Sequence, residues 1–250
     1  MKLFLLGTSG YHPNERRNTA CLMLPAEGIV LDAGTGFFRV REHLATTTLD
    51  ILLTHVHLDH VVGLTFLLST VWQKSLERIT VHGATEKLAA VRQHLLSEHL
   101  FPAPLPCQWR PLDTGTLTLG RVRVTHFPLA HPGGSLGYRL DWGDSNAQRS
   151  LAYVTDTTAK KDADYVQFLR GVDVLVHECN FRDGQEDWAA KTGHSSLTPV
   201  AQVAASAAVG RLVLTHFNGL DESDEPVDLA AARRNFPATE LGYDGMEIDI

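Results

Sequence analysis

Residues 54–60 concentrate side chains that bind metal ions or transfer protons. The segment reads Thr-His-Val-His-Leu-Asp-His and contributes His55, His57, Asp59 and His60. Neutral imidazoles with a carboxylate suit zinc and similar divalent cations. In extended backbone His55 and His57 face one side, whereas Asp59 and His60 lie where the chain turns into a helix, so one loop can serve two ions. The alternative is a surface histidine cluster with incidental metal affinity.

Further chemically capable residues end apolar runs elsewhere in the chain. Five runs finish in a carboxylate or an imidazole, namely Asp32, His55, Asp156, Glu178 and His216. Ligands of open α/β sheets bind beyond the carboxyl ends of the strands, so this recurrence predicts that the five groups lie at one edge. Polar residues end many strands, and a single case would carry little weight. Two metals need more ligands than residues 54–60 supply, and the distant candidates are His131, Asp156 and His216.

The elements that must position these side chains follow from periodicity. Short β-branched and apolar runs predict strands at 2–6, 21–24, 28–31, 50–53, 79–82, 121–125, 136–140, 150–154, 172–176, 212–214 and 246–250. Helical patterns occur at 60–70, 85–99, 162–169, 198–208 and 227–235. Thr198 is a predicted N-cap with Pro199 in the first turn. Four prolines within residues 101–111 predict an irregular connection.

Composition limits the class of protein. No repeat or linker divides the 250 residues, which predicts a single α/β domain over 1–250. Three cysteines, odd in number and widely spaced, argue against a disulfide framework and favour the cytoplasm. Neither a signal peptide nor a membrane span is expected, and we predict no membrane partner. With 22 Lys and Arg against 29 Asp and Glu, the net charge of -7 disfavours long-range attraction of nucleic acid.

The segment from His55 to His60 resembles the HxHxDH motif of the metallo-β-lactamase superfamily. Asp32, His131, Asp156 and His216 fall in the order of its remaining motifs. The resemblance covers essentially the whole chain and implies an αβ/βα sandwich, in which helices flank two mixed β-sheets. It also implies two divalent ions, zinc by preference, with manganese or iron as alternatives. One ion would be held by His55, His57 and His131, the other by Asp59, His60 and His216, with Asp156 bridging them and Asp32 orienting the loop by hydrogen bonds.

Within the superfamily the chain is most similar to the ribonuclease Z branch. The similar motifs are Leu6-Gly7-Thr8-Ser9-Gly10 with Arg17-Asn18, His131-Pro132 with Gly137-Tyr138-Arg139, Val176-His177-Glu178 with Gly193-His194-Ser195-Ser196, Val213-Leu214-Thr215-His216, and Tyr243-Asp244-Gly245-Met246-Glu247-Ile248. This likeness implies a phosphodiesterase in which a hydroxide bridging the metals attacks phosphorus. Asp59 would orient or deprotonate the nucleophile. His194 would act near the leaving group, and Glu178 would hold it in one tautomer.

Two departures from the branch bear on the substrate. Only 24 residues separate His131 from Asp156, where bacterial ribonuclease Z inserts a long arm that grips tRNA. After His216 the chain continues Phe-Asn-Gly-Leu-Asp-Glu and lacks the Ser-Arg-Tyr typical of the branch. The expected partner is therefore a phosphodiester, either a small cyclic phosphate, a nucleotide or an RNA 3′ end. Processing of tRNA 3′ ends and a homodimeric state stay open.

Two other functions remain as alternatives. A thioester or lactone hydrolase would keep the fold and change the bond, but the Glu178 and His194 pair argues against it. A metal-bound interaction protein without turnover would be expected to have a disrupted ligand set, whereas every expected ligand type is present in this sequence.

Overall fold

The computed structural model describes residues 1–112, 115–143 and 147–250. It divides the chain into two compact units. The first comprises Met1–Thr114 and Asp244–Asp249, and the second comprises Gly115–Tyr243 with Ile250. That residues 1–250 form a single domain stays a prediction.

The described residues of the two units contain sixteen strands. They are β1 (Lys2–Gly7), β2 (Ser9–Gly10), β3 (Cys21–Leu24), β4 (Ile29–Leu31), β5 (Thr48–Leu52), β6 (Arg78–Gly83), β7 (Gln108–Pro111), β8 (Thr116–Leu119), β9 (Val122–Leu129), β10 (Ser135–Trp142), β11 (Arg149–Val154), β12 (Val174–Glu178), β13 (Arg211–Thr215), β14 (Phe217–Asn218), β15 (Thr239–Leu241) and β16 (Met246–Asp249).

Helices are short in this protein. They are α1 (Val40–His43), α2 (Leu58–Val61), α3 (Leu67–Thr70), α4 (Thr85–Ala90), α5 (Val166–Leu169), α6 (Glu186–Thr192), α7 (Leu197–Ser206) and α8 (Leu229–Asn235). Turns of 3₁₀-helix occupy Pro25–Glu27, Thr35–Arg39 and Val62–Phe66, and Val91–Leu95 forms a π-helical turn. Among the described residues, none of these helices is long and apolar enough to cross a bilayer.

The sheet of the first unit is mixed. Its described strands run in the order β16-β1-β3-β4-β5-β6-β7. Pairing is antiparallel from β16 to β4 and parallel from β4 to β7. The strands β3 and β4 are buried along their whole length, which explains their unbroken apolar sequences. Because β4 and β5 pair in parallel, their carboxyl ends lie side by side.

The predicted helix at 60–70 is interrupted in the structure. It consists of α2, the 3₁₀ turn Val62–Phe66 and α3. Gly63 explains the break, because its N–H donates to the carbonyl of Ala33 at 2.7 Å instead of to its own helix. A Cβ at this position would lie 2.2 Å from the carbonyl oxygen of Gly34, so only glycine permits the close approach.

The sheet of the second unit repeats the mixed pattern. Its described strands run in the order β15-β13-β12-β11-β10-β9-β8. Pairing is parallel from β15 to β11 and antiparallel from β11 to β8. The antiparallel pair β10 and β11, with Tyr138 opposite Tyr153, occupies most of the interval between His131 and Asp156. That interval is where the resemblance would place an arm.

Two local predictions in this chain were wrong. Thr198 is not the N-cap of α7: the N-cap is Ser196, and Asp183 accepts hydrogen bonds from Thr198 N at 2.8 Å and Oγ1 at 2.7 Å. The interval 101–111 is not irregular throughout, because β7 pairs in parallel with β6. Both errors come from partners that are distant in sequence, a carboxylate in one case and a neighbouring strand in the other.

Candidate metal centre

Asp32 organises the ligand loop of the first unit. It follows β4 directly, is fully buried and has a left-handed backbone with φ of 59°. Its Oδ1 accepts the backbone N–H of Thr54 at 2.8 Å, and its Oδ2 lies 2.8 Å from Nδ1 of His60. The carboxylate therefore accepts the Nδ1 hydrogen of His60 and leaves Nε2 as the nitrogen that could bind a metal.

Thr54 fixes the neighbouring imidazole in the same way. Its Oγ1 lies 2.9 Å from Oδ2 of Asp32 and 3.1 Å from Nδ1 of His55. A hydroxyl carries one hydrogen, and here it goes to Asp32, because a carboxylate only accepts hydrogen bonds. His55 Nδ1–H then donates to Thr54, and the lone pair for a metal lies on Nε2.

The four predicted ligands of this unit lie together. The ring of His55 is centred 4.5 Å from that of His57 and 4.2 Å from that of His60. Asp59 places its Oδ2 3.4 Å from Nε2 of His60. The same oxygen accepts the backbone N–H of Tyr11 at 2.8 Å, a contact that no sequence pattern predicts.

His131 is the first ligand candidate of the second unit, and it follows the end of β9. Its Nδ1 lies 2.8 Å from the carbonyl oxygen of Gly193, so Nδ1–H donates there and Nε2 is left as the nitrogen that could bind a metal. Gly193 has a φ of 77°, and a Cβ on it would lie 2.2 Å from Cδ of Pro132. Burial lowers the pKa of His131, with Asp156 opposing the shift, so the imidazole is neutral near pH 7 as a ligand must be.

Asp156 lies between two imidazoles in the second unit. Its Oδ1 is 3.5 Å from Nε2 of His131, and its Oδ2 is 3.3 Å from Nε2 of His216. Thr155 donates its hydroxyl to Oδ2 at 2.6 Å and so fixes the carboxylate. Each oxygen thus faces a different histidine.

Glu178 and His194 contact each other beside the predicted ligands. Glu178 is fully buried, and its Oε1 lies 3.1 Å from Nδ1 of His194. Backbone N–H groups of Thr157 and Ser195 donate to its two oxygens at 2.8 Å and 3.1 Å. The ring of His194 stacks on that of His216 with centroids 5.4 Å apart.

Backbone strain marks the ends of three site strands. Asp32, Asp156 and His216 all have φ between 54° and 59°, a region that non-glycine residues rarely occupy. Such conformations cost about 1–3 kcal/mol each and persist where the surrounding structure imposes them. The predicted strand-end residues are therefore held in turns that aim their side chains beyond the sheets.

Sequence reasoning missed the groups that orient the ligands. Thr54, Gly193 and the backbone N–H of Ser195 all fix imidazoles or Glu178. A threonine directly before His55 and a glycine directly before His194 are weak signals, since both residue types are common in loops.

The donor chemistry of each unit fits divalent metal. Imidazole nitrogens and carboxylate oxygens are the donors, and the hydrogen bonds at Nδ1 leave Nε2 of His55, His60 and His131 as ligand atoms. In the second unit, Asp156, His194 and His216 offer ligand atoms that all lie within 4.8 Å of one another.

Comparison with known families assigns the class of protein. Residues 28–217 match the model of the β-lactamase superfamily domain. The chain belongs to this superfamily, as its HxHxDH segment predicts, and it is a metal-dependent hydrolase.

Two relatives narrow the likeness to one branch. The chain is 30% identical to ribonuclease Z of Bradyrhizobium diazoefficiens and 31% identical to ribonuclease Z of Bradyrhizobium sp., with 97% of each chain covered in both cases. The first alignment spans 296 positions, so at least 46 of them have no counterpart among the 250 residues of this chain (296 less 250).

A solved structure supports the fold independently. Human tRNase Z, short form, superposes with a TM-score of 0.77 at 23% identity, covering 100% of this chain and 99% of that one. The predicted α/β class and metallo-β-lactamase fold are thereby confirmed.

Proposed function

We propose that the chain is a dinuclear metal-dependent phosphodiesterase of the ribonuclease Z type. The observation that carries this proposal is the pair formed by Glu178 and His194. His194 Nδ1 lies 3.1 Å from Glu178 Oε1 and 3.9 Å from Asp156 Oδ1. A histidine so placed, and 18% exposed, is suited to protonating an alkoxide leaving group next to a metal ligand.

Seven side chains would hold the two ions. His55, His57 and His131 would bind one, Asp59, His60 and His216 the other, and Asp156 both. Zinc is the first choice for this donor set, with manganese and iron as alternatives. When bound, the ions would supply an activated water and positive charge opposite the phosphate oxygens.

The protein's own groups would then carry out three tasks. Asp59, which is held by the N–H of Tyr11, would orient or deprotonate the attacking water. His194 would donate a proton to the departing oxygen from Nε2. Glu178 would keep the other hydrogen on Nδ1, because its two oxygens are fixed by backbone N–H groups and cannot turn away.

The size of the substrate follows from what the chain lacks. The interval between His131 and Asp156 contains the antiparallel pair β10 and β11 in place of an arm. The net charge of -7 provides no general attraction for a polyanion. These features favour a nucleotide, a small cyclic phosphate or a short RNA 3′ end over an intact precursor tRNA as the preferred substrate.

Metal analysis combined with a substrate panel tests the proposal. We expect about two divalent ions per purified chain, and hydrolysis of bis-p-nitrophenyl phosphate or cyclic nucleotides but not of acyl thioesters. Asp156→Ala should lower both metal content and hydrolysis. His99→Ala, which removes an exposed histidine outside the ligand set, is the matched control.

Other results would replace the proposal. Preferential hydrolysis of thioesters or lactones would reassign the reaction on the same fold. A full complement of metal without turnover of any panel member would instead indicate an interaction protein.

A further inference from the structure

Tyr11 is held rigidly against a predicted catalytic carboxylate. Its backbone has a φ of 66°, a left-handed conformation that tyrosine rarely adopts. Its N–H donates to Oδ2 of Asp59 at 2.8 Å. Because the backbone of Tyr11 contacts Asp59, the side chain of Tyr11 begins next to the site of the proposed chemistry.

The loop around Tyr11 is fixed by its own hydrogen bonds. Ser9 Oγ donates to the carbonyl of His12 at 2.8 Å, and His12 N donates to the carbonyl of Gly10 at 2.9 Å. Asn14 Oδ1 accepts the backbone N–H groups of the next two arginines at 3.0 Å and 2.9 Å. Such a loop loses little conformational entropy when a ligand binds.

The ring of Tyr11 is nonetheless exposed to solvent. Its exposed fraction is 84%, the highest among the large apolar and aromatic side chains of the described residues. The nearest aromatic neighbour is His12, whose ring meets it edge-on at 5.6 Å. Among the described residues, no ring stacks on either face of the phenol, although the backbone that carries it is strained and fixed.

We propose that Tyr11 is the stacking platform for the nucleobase adjoining the scissile phosphodiester. This inference rests on the proposed function and narrows its substrate class to nucleotide phosphodiesters, as opposed to alkyl or sugar phosphodiesters. A base stacks on an aromatic ring without regard to its hydrogen-bonding edges, so the site accepts several bases. The backbone N–H of Tyr11 contacts Asp59, so the ring of Tyr11 lies within about one side-chain length of a phosphate positioned at Asp59.

A pair of esters with the same leaving group isolates the role of the base. We compare the p-nitrophenyl ester of thymidine 5′-phosphate with methyl p-nitrophenyl phosphate, which lacks a nucleoside. Tyr11→Ala should lower the ratio of kcat/KM for the two esters by about 5- to 150-fold. Tyr11→Phe should restore the ratio, because the ring and not the hydroxyl provides the stacking.

The substitution at Tyr11 is chosen to keep the backbone, and the control removes another exposed aromatic ring. Alanine keeps a Cβ, so the substitution should preserve both the backbone conformation, with its φ of 66°, and the hydrogen bond to Asp59. Trp188→Ala removes another exposed aromatic ring, with 58% exposure, and should leave the ratio of the two esters as in the wild type.

Direct binding separates this inference from the proposed function. Calorimetry should show that thymidine 5′-monophosphate binds the wild type more tightly than deoxyribose 5-phosphate, and that Tyr11→Ala abolishes the difference. Equal affinities overturn the platform even when both esters are hydrolysed. Tighter nucleotide binding without hydrolysis of either ester would support the platform and contradict the phosphodiesterase.

Two further outcomes overturn the role of Tyr11. An equal loss on both esters in Tyr11→Ala would show that the residue positions Asp59 and does not contact the base. A lower molecular mass of Tyr11→Ala in light scattering would show that the ring packs against a second copy of the chain.

Discussion

At the scale of single residues, hydrogen bonds at Nδ1 determine which imidazole nitrogen does chemistry. His60 donates to Asp32, His55 to Thr54 and His131 to Gly193. The partner of His194 is the carboxylate of Glu178. His60 also has a carboxylate partner, so what suits His194 for proton transfer to a substrate is its exposure, 18% against 0% for His60.

Replacement of His194 should therefore depend on the leaving group. We expect His194→Ala to lower kcat by about 10²- to 10⁴-fold for a dinucleotide, whose alkoxide must be protonated as it departs. The loss should be far smaller with bis-p-nitrophenyl phosphate, since p-nitrophenolate leaves without a proton. Steady-state kinetics on both substrates make the comparison. Equal losses would exclude His194 as the general acid.

At the scale of elements, strand ends bring the chemical groups to the edges of the two sheets. In the buried strand β12, hydrogen bonds in the interior fix the end of the strand that carries Glu178. His177 on β12 donates from Nδ1 to the carbonyl of Glu178 at 2.8 Å, and Tyr165 Oη lies 3.2 Å from its Nε2. Burial lowers the pKa of His177, so it is neutral and accepts the hydrogen of Tyr165.

Removal of that hydroxyl should destabilise the second unit. Tyr165→Phe leaves Nε2 of His177 buried without its donor, which costs about 1–3 kcal/mol of unfolding free energy. Thermal and urea unfolding measure the loss. Tyr243→Phe, at a tyrosine that is 59% exposed, is the control and should leave stability unchanged. A Tyr165→Phe protein as stable as the control would contradict the assigned hydrogen bond.

A carboxylate in the first unit should make stability depend on pH. Burial raises the pKa of Asp50, but hydrogen bonds from His82 and Arg78 outweigh it and lower the pKa overall. A lowered folded-state pKa means that the stabilisation is complete above about pH 4 and is lost as the pH falls through the folded-state value.

Asp50→Asn tests this dependence. The variant should lose about 1–3 kcal/mol of unfolding free energy at pH 7. The difference in unfolding free energy between the variant and the wild type should shrink as the pH falls below about 4. Urea unfolding at pH 7 and at pH 3 provides the measurement, with exposed Asp249→Asn as control. A difference that is the same at both pH values would contradict the prediction.

The elements also explain what the sequence could predict. The buried strand β4 is fully apolar, and residues 212–214 of β13 form a buried apolar run, which made both strand ends recognisable. The strands β8 and β15 are three or four residues long and partly exposed, so they carry little periodic signal. The break at Gly63 depends on Ala33, a partner 30 residues away, and local patterning contains no information about it.

At the scale of the whole molecule, charge and length decide how substrate is captured. The chain carries a net charge of -7 and lacks at least 46 positions present in its aligned ribonuclease Z relative. Affinity for a nucleic acid that contacts many basic groups falls steeply as the salt concentration rises. Affinity for a substrate held by one phosphate and one base depends only weakly on salt. We therefore expect this protein to bind its substrate through a few contacts near one phosphate and one base.

The preference for short substrates should appear in kinetics and in salt dependence. We expect kcat/KM for a precursor tRNA with a 3′ trailer to be no higher than for a short oligonucleotide of the same 3′ sequence. Between 50 and 200 mM salt, log KM should rise with log salt at a slope of about 1 or less, equivalent to roughly one phosphate contact. Ribonuclease Z of Bradyrhizobium diazoefficiens, whose alignment with this chain spans 296 positions, is assayed in parallel for comparison. A strong preference for the precursor tRNA with a steep slope would mean that basic residues elsewhere in this chain, or in a second copy of it, replace the missing arm.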